Sequence, residues 1–203
     1  MDKYLILLAG PPSTGKTFLL NKLKNKIKGI FSITPDEVKE IYAESFGFNN
    51  LKEKQALESK VWEFYYQILE LYMGAGKRVI ASEYPFSNKQ KNRLREIADK
   101  NDYKVITIRL IADFDTLWER RYIRDREQDR HLSHIMTHYH FGDELEDRLS
   151  ADNHITYEAF KEICESRDYN NFSLGELFEF DVSDYTKVDY TDFINHLDKL
   201  INK

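Results

Sequence analysis

Apolar runs of strand length alternate along the chain with longer stretches in which apolar residues recur every three or four positions. This is the pattern of βα units feeding a parallel sheet. Tyr4-Leu5-Ile6-Leu7-Leu8-Ala9 contains no charge and predicts a strand buried on both faces. A helix is expected from about Lys16, carrying Phe18, Leu19, Leu20, Leu23 and Ile27 inward and closed by Gly29. Ile30–Ile33 predicts a short second strand. Thr34-Pro35-Asp36-Glu37 then supplies a cap, a first-turn proline and an acidic first turn for a helix reaching about Phe46.

From Leu51 to Met73 the period is helical, with Leu57, Val61, Phe64, Tyr65, Ile68, Leu69 and Tyr72 close to one face and Gly74-Ala75-Gly76 at the end. Aromatic residues on such a helix belong to a core more often than to a site. Arg78–Ser82 predicts a third strand, Asn88–Lys100 a helix, Lys104–Ile111 a fourth strand, and Asp113 the cap of another helix. Beyond the charged, His-rich stretch Arg120–Arg148, a helix around Tyr157–Ser166, a strand at Leu177–Val182 and a helix from about Tyr190 complete the pattern.

At 203 residues the chain fits one domain, residues 1–203, because a single core becomes hard to extend only beyond roughly 250–300 residues. Apolar residues make up 41% of the sequence, 13 Tyr and 13 Phe among them, which argues against disorder. Thirty Lys and Arg against 35 Asp and Glu give a net charge of −5, unfavourable for tracking many backbone phosphates. Cys164 is the single cysteine, so no intramolecular disulfide forms and a cytoplasmic setting is the simplest expectation. The apolar run Tyr4–Ala9 is too short for a signal-peptide core, and no stretch reaches the ~18 apolar residues of a membrane span.

Gly10-Pro11-Pro12-Ser13-Thr14-Gly15-Lys16-Thr17 fits G-x-x-x-x-G-K-[ST] between a predicted strand and a predicted helix, the context that the phosphate-binding P-loop requires. Backbone N–H groups of such a loop point at phosphate oxygens, Lys16 reaches the β- and γ-phosphates, and the Thr17 hydroxyl ligates Mg²⁺. The expected fold class is therefore α/β, a P-loop NTPase fold with a parallel sheet of about five strands, helices on both faces and a helical lid. A GTPase would need a guanine-reading Asn-Lys-x-Asp, and Asn88-Lys89-Gln90-Lys91 lacks its aspartate. ATP is the expected nucleotide.

With this loop, with Pro35-Asp36-Glu37 after the second strand and with Arg120–Arg130 after the fourth, the chain resembles small P-loop kinases of the zeta-toxin and polynucleotide-kinase-like group, of the AAA_33 type. The resemblance implies that Asp36 accepts the proton of the acceptor hydroxyl; its competing role is a helix N-terminal charge. It also places Glu83, at the carboxyl end of the third strand, where related kinases commonly have aspartate, to hold a Mg²⁺-bound water or the acceptor.

Glu119-Arg120-Arg121-Tyr122-Ile123-Arg124-Asp125-Arg126 has the arginine density of a kinase lid, expected over about 119–150, with Arg120 and Arg124 as catalytic candidates. Interleaved acids also allow a solvated charged helix. His131, His134, His138 and His140 recur at helix-like intervals, but a zinc site normally needs further convergent ligands; Arg130-His131-Leu132-Ser133-His134 is similar to a string in those kinases. The expected activity is transfer of the γ-phosphoryl of ATP to a hydroxyl of a small metabolite or nucleotide-type acceptor. A 5′-hydroxyl polynucleotide kinase, with Lys39, Arg93 and Arg95 in a basic funnel, and a nucleotide switch or ATPase are the alternatives.

Overall fold

The computed structural model describes residues 2–202. Five strands form one parallel sheet in the order β2-β3-β1-β4-β5: β1 (Lys3–Ala9), β2 (Ile30–Ser32), β3 (Val79–Glu83), β4 (Tyr103–Ile111) and β5 (Glu176–Asp181). Seven helices connect and cover them: α1 (Lys16–Lys26), α2 (Pro35–Phe46), α3 (Leu51–Gly74), α4 (Asn88–Lys100), α5 (Phe114–Arg124), α6 (Tyr157–Arg167) and α7 (Thr191–Ile201). The α/β P-loop fold expected from the alternation of runs is the one observed.

Successive side chains of a strand face opposite ways, and β1 divides the core accordingly. Tyr4, Ile6 and Leu8 pack with Leu19, Leu23 and Leu197 of α1 and α7, whereas Leu5, Leu7 and Ala9 pack with Val61, Tyr65, Leu69 and Leu94 of α3 and α4. Tyr65 is fully buried and donates to Ser82 Oγ at 2.8 Å, so the aromatic stripe of α3 is core, as its period implies.

Between β1 and β3 the register sets Leu8 opposite Glu83, and between β1 and β4 it sets Ala9 opposite Arg109. β1 and β3 therefore end nearly level while β4 runs two residues further, and β3 and β4 flank β1 on opposite sides. Open α/β sheets bind ligands at such a switch point.

Local chemistry fixes the helix that borders this edge. Thr34 caps α2 in a capping box: its hydroxyl accepts from Glu37 N at 3.1 Å, and the Glu37 carboxylate accepts from Thr34 N at 2.8 Å. At α1 the sequence expectation is off by two residues. The helix closes at Ile27, whose N–H donates to Leu23 O at 2.8 Å, and Gly29 (φ +83°) instead turns the chain into β2.

Candidate active site

The loop Gly10–Thr17 joins β1 to α1 and closes on its own lysine. Gly10 adopts φ +117°, and a Cβ there would stand 1.9 Å from the carbonyl oxygen of Leu110, so only glycine lets the loop lie against β4. Lys16 is buried and its ammonium donates to Gly10 O at 3.1 Å, Pro11 O at 2.7 Å and Thr14 Oγ1 at 3.3 Å. Burial lowers the Lys16 pKa to about 8, with Glu83 opposing the shift.

Gly15, in the left-handed conformation, begins α1 without a side-chain cap. The first-turn N–H groups are thus left for an anion, which the positive end of the helix dipole favours. Ser13 Oγ is buried and has no hydrogen-bond partner among the described residues. These donors fit the phosphates of a nucleotide.

Two carboxylates face this loop across one cavity of about 900 Å³, lined among others by Lys16, Thr17, Asp36 and Glu83. Burial raises the Glu83 pKa, while the Thr17 hydroxyl and the Lys16 ammonium act against it. The Thr17 hydroxyl and the Glu83 carboxylate are hard oxygen donors of the kind Mg²⁺ accepts, an ion that usually keeps several waters and shares phosphate ligands. Among the described residues no group of three or more His, Cys, Asp or Glu gathers as a protein-only metal cage. The donors present fit an ion shared with a nucleotide.

Asp36 sits in the first turn of α2. Burial opposes its ionisation, but Lys39, His134 and Arg130 outweigh burial and hold the carboxyl down at about 2. Lys39 donates to Asp36 Oδ1 at 3.2 Å and to the Tyr84 hydroxyl at 3.1 Å, and its ammonium lies 4.9 Å from the centre of the Tyr84 ring. Tyr84 follows β3, so three elements converge on Asp36. The sequence offers Lys39 for a basic funnel with Arg93 and Arg95; its pairing with Asp36 and Tyr84 is not legible there, because Tyr84 is remote in the chain.

The lid arginines separate into two groups. Arg120 donates to the carbonyls of Val182 and Ser183 at 2.8 and 2.9 Å and stacks at 3.6 Å on the ring of Tyr185, whose hydroxyl donates to Ser13 O at 3.3 Å. Arg124 instead turns to Asp125, at 3.2 Å, beside Arg121 and Arg130. All four arginines line the cavity.

The segment expected as a helical lid is α-helical only as far as Arg124, with 3₁₀ turns at Leu132–His134 and Arg148–Ser150. Beyond it the chain runs in turns, because its polar groups are spent on tertiary partners. His131 bonds Glu44 and His134 bonds Glu40, each at 2.8 Å, Tyr139 donates to Glu44, and Phe48 and Tyr139 exchange two backbone bonds of 2.8 Å. Leu132, Ile135, Tyr139 and Ala151 pack on Ala43 and Phe48. The histidines therefore anchor a wall across the α2–α3 hairpin, and their helix-like spacing corresponds to one short 3₁₀ turn, Leu132–His134. Neither Arg93 nor Arg95 lines the cavity; Arg93 pairs with Glu70 and Glu96.

Residues 5–139 match the model of the AAA_33 family, described as an AAA domain. The chain belongs to this family. No curated protein matches it. Among solved structures, a candidate kinase from Chloroflexus aurantiacus is similar to this AAA_33 protein with a TM-score of 0.74 and 21% identity over 98% of both chains. The tunicamycin resistance protein of Deinococcus radiodurans is similar with a TM-score of 0.57 and 13% identity, covering 98% of this chain and 96% of that one. A chain of the Pnkp1/Rnl/Hen1 RNA repair complex gives 0.57 and 12%, covering 86% of this chain and 47% of that chain. At these identities the AAA_33 protein shares a fold with them. No helix among its described residues is long and apolar enough to cross a membrane.

Proposed function

We propose that this AAA_33 protein is an ATP-dependent kinase that transfers the γ-phosphoryl of ATP to a hydroxyl of a small metabolite or nucleotide-type acceptor. The reading rests on one observation: the P-loop lysine and an aspartate held ionised line the same cavity from opposite elements. A nucleotide switch has no need of a carboxylate poised for an acceptor hydroxyl. Its volume of about 900 Å³ is at the upper end of small-molecule sites, roughly 300–1,000 Å³, and suits a nucleotide with a compact co-substrate.

In this reading Gly10–Thr17 cradles the phosphates and Lys16 follows charge on the transferring group. Asp36 accepts a hydrogen bond from the acceptor hydroxyl and aligns it with phosphorus. Arg121, Arg124 and Arg130 face the transferring group, and Arg120 with Tyr185 borders the nucleotide beside the loop. Thr17 and Glu83 would hold Mg²⁺, which when bound neutralises charge on the β- and γ-oxygens.

Asp36, Glu37, Glu40 and Glu58 line the acceptor side along with Lys39, Lys54 and Arg130. That mixture suits hydroxyl-rich small molecules and disfavours a run of phosphates. The test is incubation with γ-labelled ATP and a panel of sugars, nucleosides, nucleotide sugars and 5′-hydroxyl oligonucleotides. Labelling of a small acceptor is expected. Labelling confined to oligonucleotides and lost steeply with salt would establish the polynucleotide kinase, and ATP hydrolysis unaffected by any acceptor would favour the ATPase.

A further inference from the structure

Asp125 stands where its own element disfavours it. It is the C-terminal cap of α5, its N–H bonded to the carbonyls of Arg121 and Ile123, and a helix C-terminus carries negative partial charge that repels a carboxylate. It is also buried, its side chain only 5% exposed. Both features oppose an anion there.

What offsets them is three guanidinium groups. Arg121 Nε lies 3.1 Å from Asp125 Oδ2, and Arg124 Nη2 and Arg130 Nε lie 3.2 and 3.3 Å from Oδ1. Burial opposes ionisation of Asp125, and the three arginines outweigh burial and lower its pKa. One arginine is four residues back, one adjacent and one five residues on, so this single carboxylate joins the end of α5 to the turn that follows it.

The ion pairs do not consume the arginines. Among the described residues, Arg121 Nε and Arg130 Nε have no aligned hydrogen-bond partner, although each is within ion-pair distance of Asp125. Within this cluster three guanidinium groups share one carboxylate, a local excess of positive charge on a cavity that Asp36 and Glu127 also line. A local rule broken at a cavity, with compensation drawn from several elements, is the kind of exception expected at a functional site.

We propose that Asp125 is a positioning residue that assembles Arg121, Arg124 and Arg130 into a preformed clamp for the transferring phosphoryl group, an inference that rests on the kinase reading above. Asp125 touches no substrate. Its effect falls on charge that develops during transfer, so its loss should be felt in the transition state more than in nucleotide binding.

The test compares wild type with Asp125→Asn and Asp125→Glu, measuring kcat, KM for ATP, thermal midpoint, and calorimetric affinity for Mg²⁺–ADP with and without aluminium fluoride, which mimics the transferring group. In each soluble variant kcat should fall about 10–100-fold, the usual consequence of an ångström-scale misplacement. Affinity for the fluoride complex should fall by a similar factor, while ADP affinity stays within about 3-fold. Should Asp125→Asn fail to fold, Asp125→Glu keeps the charge, moves it by one methylene and carries the same expectation. Wild-type kcat in either folded variant, or equal weakening of ADP and of the fluoride complex, overturns the proposal. If wild type itself binds the fluoride complex no better than ADP, the kinase reading fails and the clamp falls with it.

Discussion

At Asp36 burial favours the protonated carboxyl, and neighbouring cations reverse that preference. A carboxyl at about 2 is a weak base, so in the proposed kinase Asp36 would align the acceptor more than remove its proton in a loose phosphoryl-transfer transition state. Asp36→Asn is expected to lower kcat by about 10²–10⁴-fold with nearly unchanged ATP affinity; near-normal kcat would return Asp36 to its role in the helix start. Because its pKa is depressed, Asp36 stays ionised through the neutral and mildly acidic range. Lys39→Met removes the cation 3.2 Å from the carboxylate that does most to hold it down, so the acid limb of kcat/KM should move to higher pH. A pH–rate profile identical to wild type would show that Lys39 does not tune this carboxyl.

Which residues the sequence revealed follows from distance along the chain. Lys16 and Thr17 are legible because the P-loop is contiguous and every group in it serves one ligand. Asp125 reads as an ordinary acid of a charged helix and Lys39 as part of a basic funnel, since the partners that give them meaning lie in other turns and strands. Tyr185 gave no signal at all: it reaches Ser13, 172 residues away, through a loop with no motif.

At the scale of elements, the helices and strands were legible from period and caps, and boundaries moved by a residue or two. The exception is the region after Arg124, where repeated histidines imitate a helix but each takes its own partner: His131 and His134 engage α2, His138 pairs with Asp152 and His140 bonds Asn49. Glu44 receives both His131 and Tyr139. Glu44→Ala should therefore accelerate amide exchange across residues 131–139 while leaving ATP affinity within about 2-fold, each lost bond being worth roughly 0.5–1.5 kcal/mol. Unchanged exchange would mean that the apolar contacts of Phe48 and Tyr139 suffice to hold the wall. The β1–α1 junction is more demanding. Gly10→Ala drives a methyl into the Leu110 carbonyl at a positive φ, and should cost on the order of 3 kcal/mol in denaturant unfolding. A loss below 1 kcal/mol would show that the loop can move away from β4.

Over the whole molecule, the parallel sheet brings the ends of β1, β3 and β4 to one edge, and every group assigned to chemistry is delivered there. One side of the cavity is a contiguous loop, legible as a motif, whereas the other is gathered from α2, α3, the turn after β3 and the anchored segment, where the sequence offered Asp36 and Glu83 only through the family resemblance. All depends on the P-loop holding ATP with Mg²⁺. Calorimetric titration of ATP into wild type and Lys16→Ala, with and without Mg²⁺, tests this directly. The account predicts Mg²⁺-dependent binding at one site per chain, with Lys16→Ala folded but turnover abolished, since Lys16 supplies charge that tracks the phosphoryl group. Absence of Mg²⁺-dependent ATP binding in folded wild-type protein would contradict it.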